Sequence, residues 1–147
     1  MKIIEVKERT ALLIEQLTEV WERSVKDTHL FLSESEIEDI KKYVPQALKG
    51  VVHLVVAENE SGCPVAFMGV EEQKLEMLFI APEERGKGLG KKLIQYGIEN
   101  YSIRELAVNE QNPLAKGFYE HMGFRGYKRT DHDEQGKPYP LLYMKLN

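Results

Sequence analysis

Apolar residues in the first part of the chain recur three and four positions apart, which is the spacing of an amphipathic helix. The residues that share this helical face are Leu13, Leu17, Val20, Trp21 and Val25. Ser33 and Glu36 then have the spacing of a capping box, which marks the beginning of a helix. The pattern predicts a short strand at 3–6, a first helix, and a second helix from Ser33 that Pro45 kinks or ends.

From Val51 onward, the apolar pattern changes to runs rich in β-branched residues, which turn residues separate. Strands are predicted over 52–57, 65–70 and 75–80. The short connections between them favour an antiparallel meander. Cys63 lies in the predicted turn between the first two of these strands, and we assign it no role.

The second half of the chain alternates strands with helices. An amphipathic helix is predicted over 89–98 and a strand over 105–108, and a helix between two strands favours a parallel crossover. The next helix has clear boundaries. Asn112 suits its N-cap, Pro113 its first position, and Gly123 the left-handed residue beyond its end.

Two last strands are predicted over 124–128 and 141–146. The order β-α-α-β-β-β-α-β-α-β-β predicts an α+β fold, in which a mixed, mostly antiparallel sheet of seven strands carries four helices. We expect residues 1–147 to form a single domain. Monomer and homodimer both remain open, because the last strand could pair with the edge of a partner.

Composition and charge narrow the possible functions. The 147 residues are 42% hydrophobic and 30% charged, which is typical of a globular domain, and the net charge of -4 disfavours general nucleic-acid binding. The single cysteine offers neither a disulfide nor a zinc pattern. Early charged residues interrupt any signal peptide, and no apolar run reaches the ~20 residues that span a bilayer. We expect a cytoplasmic protein with no metal, membrane or nucleic-acid partner.

A glycine-rich segment at 85–90 lies between a predicted strand and a predicted helix. It lacks the third glycine of a dinucleotide-binding loop, and it lacks both the first glycine and the hydroxyl of a Walker loop, but it fits R-x-x-G-x-G. Glycines let an anion approach the backbone, and the first amides of a helix are unpaired and lie at the positive end of its dipole. The segment indicates a pyrophosphate site, although a solvated surface turn is the alternative.

Two segments together resemble the Gcn5-related N-acetyltransferases, the GNAT family. Residues 85–90 resemble the pyrophosphate loop Q/R-x-x-G-x-G/A, and residues 109–124 resemble the segment N-x-x-A-x-x-F-Y-x-x-x-G-F. The resemblance covers nearly the whole chain, and residues 24–32 and 136–140 resemble a small bacterial branch. It implies a direct transfer of the acetyl group of acetyl-CoA to an amine, without a metal.

The resemblance also implies where acetyl-CoA binds. In the family, the strand before the glycine loop and the following strand splay apart, and the pantetheine arm lies in the gap. Asn109 and Asn112 could instead have structural roles only, Asn109 at the end of a strand and Asn112 as the N-cap of a helix. The implied cofactor-binding residues are Leu78, Phe79, Ile80, Arg85, Gly86, Lys87, Gly88, Leu89, Gly90, Lys91, Asn109, Asn112 and Tyr119.

Acetyl transfer requires a neutral amine and a leaving thiol that regains a proton. The pKa of an ordinary lysine amine is ~10.4 and that of a thiol is ~8.5, so we expect a base and a proton donor. The resemblance implies Tyr119 as the donor, and a core position is its structural alternative. It implies Glu76 as the base, although a family glutamate would align nearer Lys74. The other candidate bases are His29, Glu71, Glu72 and a water molecule.

The acceptor amine belongs to a small molecule or a protein, and four side chains could line its pocket. These candidates are Trp21, His29, Phe31 and Tyr139. Trp21 also fits the apolar face of the first helix, which makes a core position its alternative. Two other functions remain open. An acetyl-CoA sensor without turnover is suggested by the lack of an obvious base, and a nucleotide phosphotransferase is disfavoured by the failed Walker pattern.

Overall fold

The structure is a computed structural model that describes residues 1–146. Its helices and strands follow the predicted order and confirm the α+β class. In chain order they are β1 (Lys2–Glu5), α1 (Ala11–Thr28), α2 (Glu34–Lys41), α3 (Val44–Gly50), β2 (His53–Glu58), β3 (Pro64–Glu71), β4 (Lys74–Ile80), a 3-10 turn (Pro82–Glu84), α4 (Leu89–Tyr101), β5 (Glu105–Asn109), α5 (Pro113–His121), β6 (Phe124–Thr130) and β7 (Leu141–Leu146).

All seven strands join one sheet in the order β1-β2-β3-β4-β5-β7-β6. The β4–β5 pair is parallel and the other pairs are antiparallel. This confirms the meander predicted for β2, β3 and β4 and the crossover predicted between β4 and β5. One expectation is wrong. The last strand, β7, cannot offer an edge to a partner, because it lies between β5 and β6 and is paired on both sides. The edge strands are β1 and β6.

The helix boundaries follow local chemistry. Ser33 and Glu36 form the predicted capping box, in which the Ser33 hydroxyl accepts from the Glu36 amide at 3.1 Å and the Glu36 carboxylate accepts from the Ser33 amide at 2.9 Å. Pro45 follows the end of α2 and lies in the first turn of α3. Proline is tolerated there because the first amides of a helix are unpaired in any case. The structure therefore adds this short helix to the four that the pattern predicts.

The helices cover the sheet in two layers. Helices α1, α2 and α3 pack on one face, over β2, β3 and β4, whereas α4 and α5 pack on the other face. Strand β3 is buried on both sides, since Phe67 contacts the first layer and Met68 the second. This explains its uninterrupted apolar sequence. The core residues of the first layer do not extend to β5, β6 or β7.

Helix α4 approaches the sheet closely at Gly97. A Cβ atom at this position would lie 2.3 Å from Cδ1 of Ile103 and 3.1 Å from Cε of Met68. Both neighbours are buried, so neither has room to move away. The absence of a side chain at Gly97 therefore fixes the distance between α4 and β3.

We expect Gly97→Val to lower the free energy of unfolding by about 1–3 kcal/mol, because the added methyl groups overpack a closed interface. Gly117→Val is the matched control, since Gly117 also lies in a helix but a Cβ there meets nothing within 4 Å. Urea denaturation followed by circular dichroism measures both variants. Equal effects at the two positions would contradict close packing at Gly97.

Candidate active site

The parallel pairing of β4 with β5 ends after two residue pairs. Lys74 pairs with Glu105 and Leu75 with Leu106, and beyond these the two strands separate as the resemblance implied. A register shift between β3 and β4 leaves Glu76 as an extra residue, and such a bulge bends its strand. Residues 77–80 and 107–109 therefore turn unpaired backbone groups toward a gap. Buried groups of this kind require a hydrogen-bonding partner, which a bound ligand would supply.

Two adjoining cavities occupy this region. We name the larger, of about 570 Å³, the outer cavity, and the smaller, of about 190 Å³, the inner cavity. The outer cavity runs from the glycine-rich loop to β4, and the inner cavity lies between β4 and β5. Six residues line both, namely His29, Leu78, Phe79, Asn112, Ala115 and Tyr119. These shared residues mark the point where a group held in one cavity reaches the other.

The glycine-rich loop forms one end of the outer cavity. Gly86 and Gly88 have φ angles of +73° and +80°, which favour glycine. At ordinary hydrogen-bond geometry, the amides of residues 86–91 donate to no group among residues 1–146. Because α4 begins at Leu89, these amides also lie at the positive end of a helix dipole. The loop therefore has the donors and the field that an anion such as a diphosphate requires.

Arg85 adds an unpaired donor to this end of the cavity. Its Nη2 donates to the Ser24 hydroxyl at 3.1 Å, and its Nε lies 3.3 Å from the Asp27 carboxylate, at an angle unsuited to a hydrogen bond. Among residues 1–146, Arg85 Nε is the only buried side-chain nitrogen or oxygen without a partner. Such an orphaned guanidinium nitrogen fits an incoming phosphate oxygen.

Most of the implied cofactor-binding residues line the outer cavity. Two do not. Lys87 is largely exposed and lies 3.9 Å from the Glu84 carboxylate, and Asn109 lines the inner cavity. Asn112 is both a cavity residue and a helix cap. It lines both cavities, and its side chain accepts from the Ala115 amide at 3.3 Å as the N-cap of α5. The residues found in the outer cavity are Leu78, Phe79, Ile80, Arg85, Gly86, Gly88, Leu89, Gly90, Lys91, Asn112 and Tyr119.

Tyr119 lies at the junction of the two cavities. Its side chain is 8% exposed and packs edge-on against Phe118 and Phe124. The hydroxyl makes no hydrogen bond within residues 1–146 and is nevertheless not fully enclosed, so it is accessible from the cavity. Burial raises the pKa of Tyr119 above its usual value. The phenol is therefore protonated at neutral pH and can donate a hydrogen bond.

The candidate bases separate by position. Glu76 lines the inner cavity, and burial raises its pKa while the Lys74 ammonium, 4.0 Å away, opposes the rise. Glu71 and Glu72 lie at the β3–β4 hairpin and line neither cavity. Glu71 instead accepts from the Val52 amide at 3.3 Å. Of the four candidate base residues, Glu76 and His29 line the cavities, and Glu71 and Glu72 do not.

His29 follows the last residue of α1 and lines both cavities. Burial lowers the pKa of His29 to about 4, and the positive charge of Arg85 contributes to this shift. The imidazole is therefore neutral at pH 7. Its Nδ1 lies 2.8 Å from the hydroxyl oxygen of Thr28.

The other candidate acceptor residues lie further out or in the core. The ring of Phe31 lies 5.5 Å from His29 and 5.8 Å from Tyr139, and the Tyr139 hydroxyl donates to the Glu36 carboxylate. This row of rings joins the α1–α2 loop to the β6–β7 loop beside the cavities. Trp21, by contrast, is 5% exposed and packs edge-on against Phe79, so its core alternative is the one observed and it lines neither cavity.

Several lining residues were missed by the sequence analysis. In the outer cavity they are Ser24, Thr28, Glu84, Leu114, Ala115 and Phe118. A signal existed for two of them. Ser24 and Thr28 are polar residues four positions apart on the mostly apolar face of α1, and Ser24 is almost completely buried. A buried hydroxyl on such a face requires a partner, and here it is Arg85.

Metal and membrane features can be assessed for residues 1–146. Within this range, no three side chains of His, Cys, Asp or Glu are grouped to hold a metal ion. None of the described helices has both the length and the apolar composition that crossing a membrane requires.

Known proteins resemble this chain in sequence and fold. Residues 25–146 match the family described as the acetyltransferase (GNAT) domain. The peptidyl-lysine N-acetyltransferase YjaB of Escherichia coli strain K12 is 42% identical over 132 residues, which cover 87% of this chain and 86% of YjaB. The solution structure of apo-form YjaB from Escherichia coli matches with a TM-score of 0.87 and 38% identity, and covers 99% of this chain and 97% of that chain.

More distant structures share the fold. An aminoglycoside 6′-N-acetyltransferase complexed with coenzyme A matches with a TM-score of 0.63 at 16% identity, and the match covers 98% of this chain and 95% of that one. The family match spans most of the chain, and the alignment with YjaB covers 87% of this chain and 86% of YjaB. The chain therefore belongs to the GNAT family and is an acetyl-CoA-dependent N-acetyltransferase.

Proposed function

We propose that this acetyltransferase acts on the side-chain amine of lysine in a peptide or protein. The observation that carries the proposal is the gap between β4 and β5, where the outer cavity that begins at the glycine-rich loop meets a narrow inner cavity. An extended alkyl amine suits a cavity of about 190 Å³. The name of YjaB, a peptidyl-lysine N-acetyltransferase, supports this acceptor over other amines.

The bound acetyl-CoA would extend along the outer cavity. Its diphosphate would lie against the amides of residues 86–91 and Arg85, where unpaired donors are concentrated. Its pantetheine arm would hydrogen-bond the unpaired backbone of residues 78–80. The thioester then reaches the junction of the cavities, beside Tyr119. The fold is one that holds coenzyme A in the aminoglycoside 6′-N-acetyltransferase, which supports this orientation.

The chemistry follows from this orientation. The neutral amine attacks the thioester carbonyl carbon, so that a C–N bond forms and the C–S bond then breaks. The leaving sulfur takes its proton, or a strong hydrogen bond, from the Tyr119 hydroxyl. The proton of the amine passes to a base on the wall of the inner cavity, where Glu76 and His29 are the available groups.

We also propose that residues 1–147 work as one domain, since every described strand joins a single sheet. The acceptor would approach beside the row of rings formed by His29, Phe31 and Tyr139, because this row borders the shared part of the cavities. The same row joins two loops, so it also fixes the shape of the acceptor side.

We expect Gly88→Ala to weaken acetyl-CoA binding about tenfold. A side chain at a left-handed φ costs about 1–2 kcal/mol, and relieving this strain would turn the amides of the loop away from the diphosphate. Gly136→Ala is the matched control, because Gly136 has nearly the same φ of +79° and equally open surroundings, but lies in the β6–β7 loop. Isothermal titration with acetyl-CoA compares them. Equal affinities of the two variants would contradict the assigned diphosphate site.

We expect Tyr119→Phe to lower kcat at least about a hundredfold, because it removes the only proton donor assigned to the leaving thiolate. The affinity for acetyl-CoA should stay within about twofold, since the ring is retained. Release of free thiol in the presence of a lysine peptide measures kcat, and Tyr43→Phe, at an exposed tyrosine, is the control.

Unchanged turnover in Tyr119→Phe would remove Tyr119 from the chemistry. Tight binding of acetyl-CoA by the wild-type chain, without turnover of any amine in a panel that includes lysine peptides and small amines, would favour the sensor alternative instead.

A further inference from the structure

The contacts of Thr28 decide which nitrogen of His29 carries the proton. The Thr28 oxygen lies 2.8 Å from the Ser24 carbonyl oxygen and 2.8 Å from Nδ1 of His29. A hydroxyl has one proton, and a carbonyl oxygen can only accept. Both contacts are hydrogen bonds only if Thr28 donates to Ser24 and accepts from an Nδ1–H group of His29. The Nε2 atom of the neutral ring is then left without a proton.

This bare nitrogen is accessible. His29 Nε2 makes no hydrogen bond within residues 1–146, yet it is absent from the fully buried unpartnered atoms, of which Arg85 Nε is the only one in that range. His29 lines both cavities, and Nε2 is the ring nitrogen that Thr28 leaves free for the junction where the thioester and the amine would meet. A neutral imidazole with an exposed lone pair can accept a proton.

We propose that Nε2 of His29 takes the proton of the attacking amine, and that Thr28 is the positioning residue that keeps this nitrogen unprotonated. The inference rests on the proposed function. The lysine amine enters as an ammonium group. One of its N–H bonds breaks, the electron pair stays on the nitrogen, and the proton moves to Nε2. This electron pair then forms the C–N bond, and the nitrogen loses its second proton to solvent. When the C–S bond breaks, the sulfur takes the Tyr119 proton. The imidazolium and the tyrosinate are then restored by exchange with solvent.

Glu76 is less suited to this step. Its carboxylate is already close to the Lys74 ammonium, at 4.0 Å, and Lys74 is also 3.3 Å from Glu134. A carboxylate in this position can attract the cationic amine into the inner cavity before it loses its proton. We therefore assign Glu76 to acceptor binding and His29 to proton transfer.

A chain of contacts connects His29 to the glycine-rich loop. Arg85 donates to the Ser24 hydroxyl, and Ser24 accepts from Thr28, which holds His29. Burial is the main cause that lowers the pKa of His29 and the positive charge of Arg85 adds to it, so a diphosphate at Arg85 would offset the second of these two causes. The ionisable residues that face His29 across the two cavities are Glu76, Glu84, Arg85, Lys91 and Tyr119, with Asp27 on its own helix beside Arg85.

The tautomer can be observed directly in the free protein. Long-range ¹H–¹⁵N correlation spectra distinguish Nδ1–H from Nε2–H histidines, and His29→Gln assigns the signal among the four histidines. We expect Nδ1–H in the wild type and in Thr28→Ser, and loss of this preference in Thr28→Val, which keeps the shape but lacks the hydroxyl. An Nε2–H ring in the wild type would overturn the proposal without touching the proposed function.

The pH dependence of kcat tests the catalytic role. In the wild type, kcat should level off above the pKa of His29 in the loaded enzyme. In His29→Gln, we expect kcat to fall at least about tenfold near pH 7 and then to climb about tenfold per pH unit toward ~10, because only the neutral fraction of the lysine amine reacts. The affinity for acetyl-CoA is measured as the check on folding and should stay within about twofold.

Glu76→Gln is the comparison variant. We expect it to raise KM for a lysine peptide while the plateau in kcat persists. A plateau that persists in His29→Gln but is lost in Glu76→Gln would overturn the proposal and make Glu76 the base. If the wild type binds acetyl-CoA but acetylates no lysine peptide, the proposed acceptor fails, and with it this role of His29, whatever the tautomer.

Discussion

The early end of the β4–β5 ladder is the constraint on which the rest of the site depends. The two strands pair only at Lys74–Glu105 and Leu75–Leu106, whereas β3 follows β4 as far as Ile80 and β7 follows β5 as far as Asn109. Strand β4 is thus paired with β3, and β5 with β7, whereas the edges of β4 and β5 that face each other are unpaired over the rest of their length. A sheet with such a gap is incomplete in its interior, and a ligand with amide groups along its length can complete it.

The glycine-rich loop is held in place by contacts that leave its own amides free. Arg85 contacts Ser24 and Asp27, and Arg23 forms an ion pair with Glu83, so that α1 anchors the segment before the loop through side chains. The amides of the loop itself take no part in these contacts. The donors are therefore oriented without being used, which lowers the conformational entropy that the loop itself would lose when a ligand binds.

The elements that the sequence predicts well are those that local chemistry determines. Asn112 caps α5 and Gly123 has a φ of +100° after its end, as their residue types require. The glycine-rich loop is predicted by the residues that end one strand and begin the next helix. The parallel crossover that contains this loop is predicted by the handedness of strand–helix–strand units. Strand order is different. The insertion of β7 between β5 and β6 joins segments far apart in the sequence, and no local pattern in β7 indicates on which side it is paired.

The same distinction explains which residues of the candidate site could be predicted from the sequence. Gly88 and Tyr119 belong to segments whose spacing carries a recognisable function. Thr28 does not, because its hydroxyl bonds to the carbonyl four residues earlier, an arrangement common at any helix end. It acquires a chemical consequence only because His29 follows it directly and Arg85 approaches from a loop almost sixty residues away in sequence. An ordinary helix terminus thus fixes the protonation of a ring at the one point where the two cavities meet, and this cannot be derived from either segment alone.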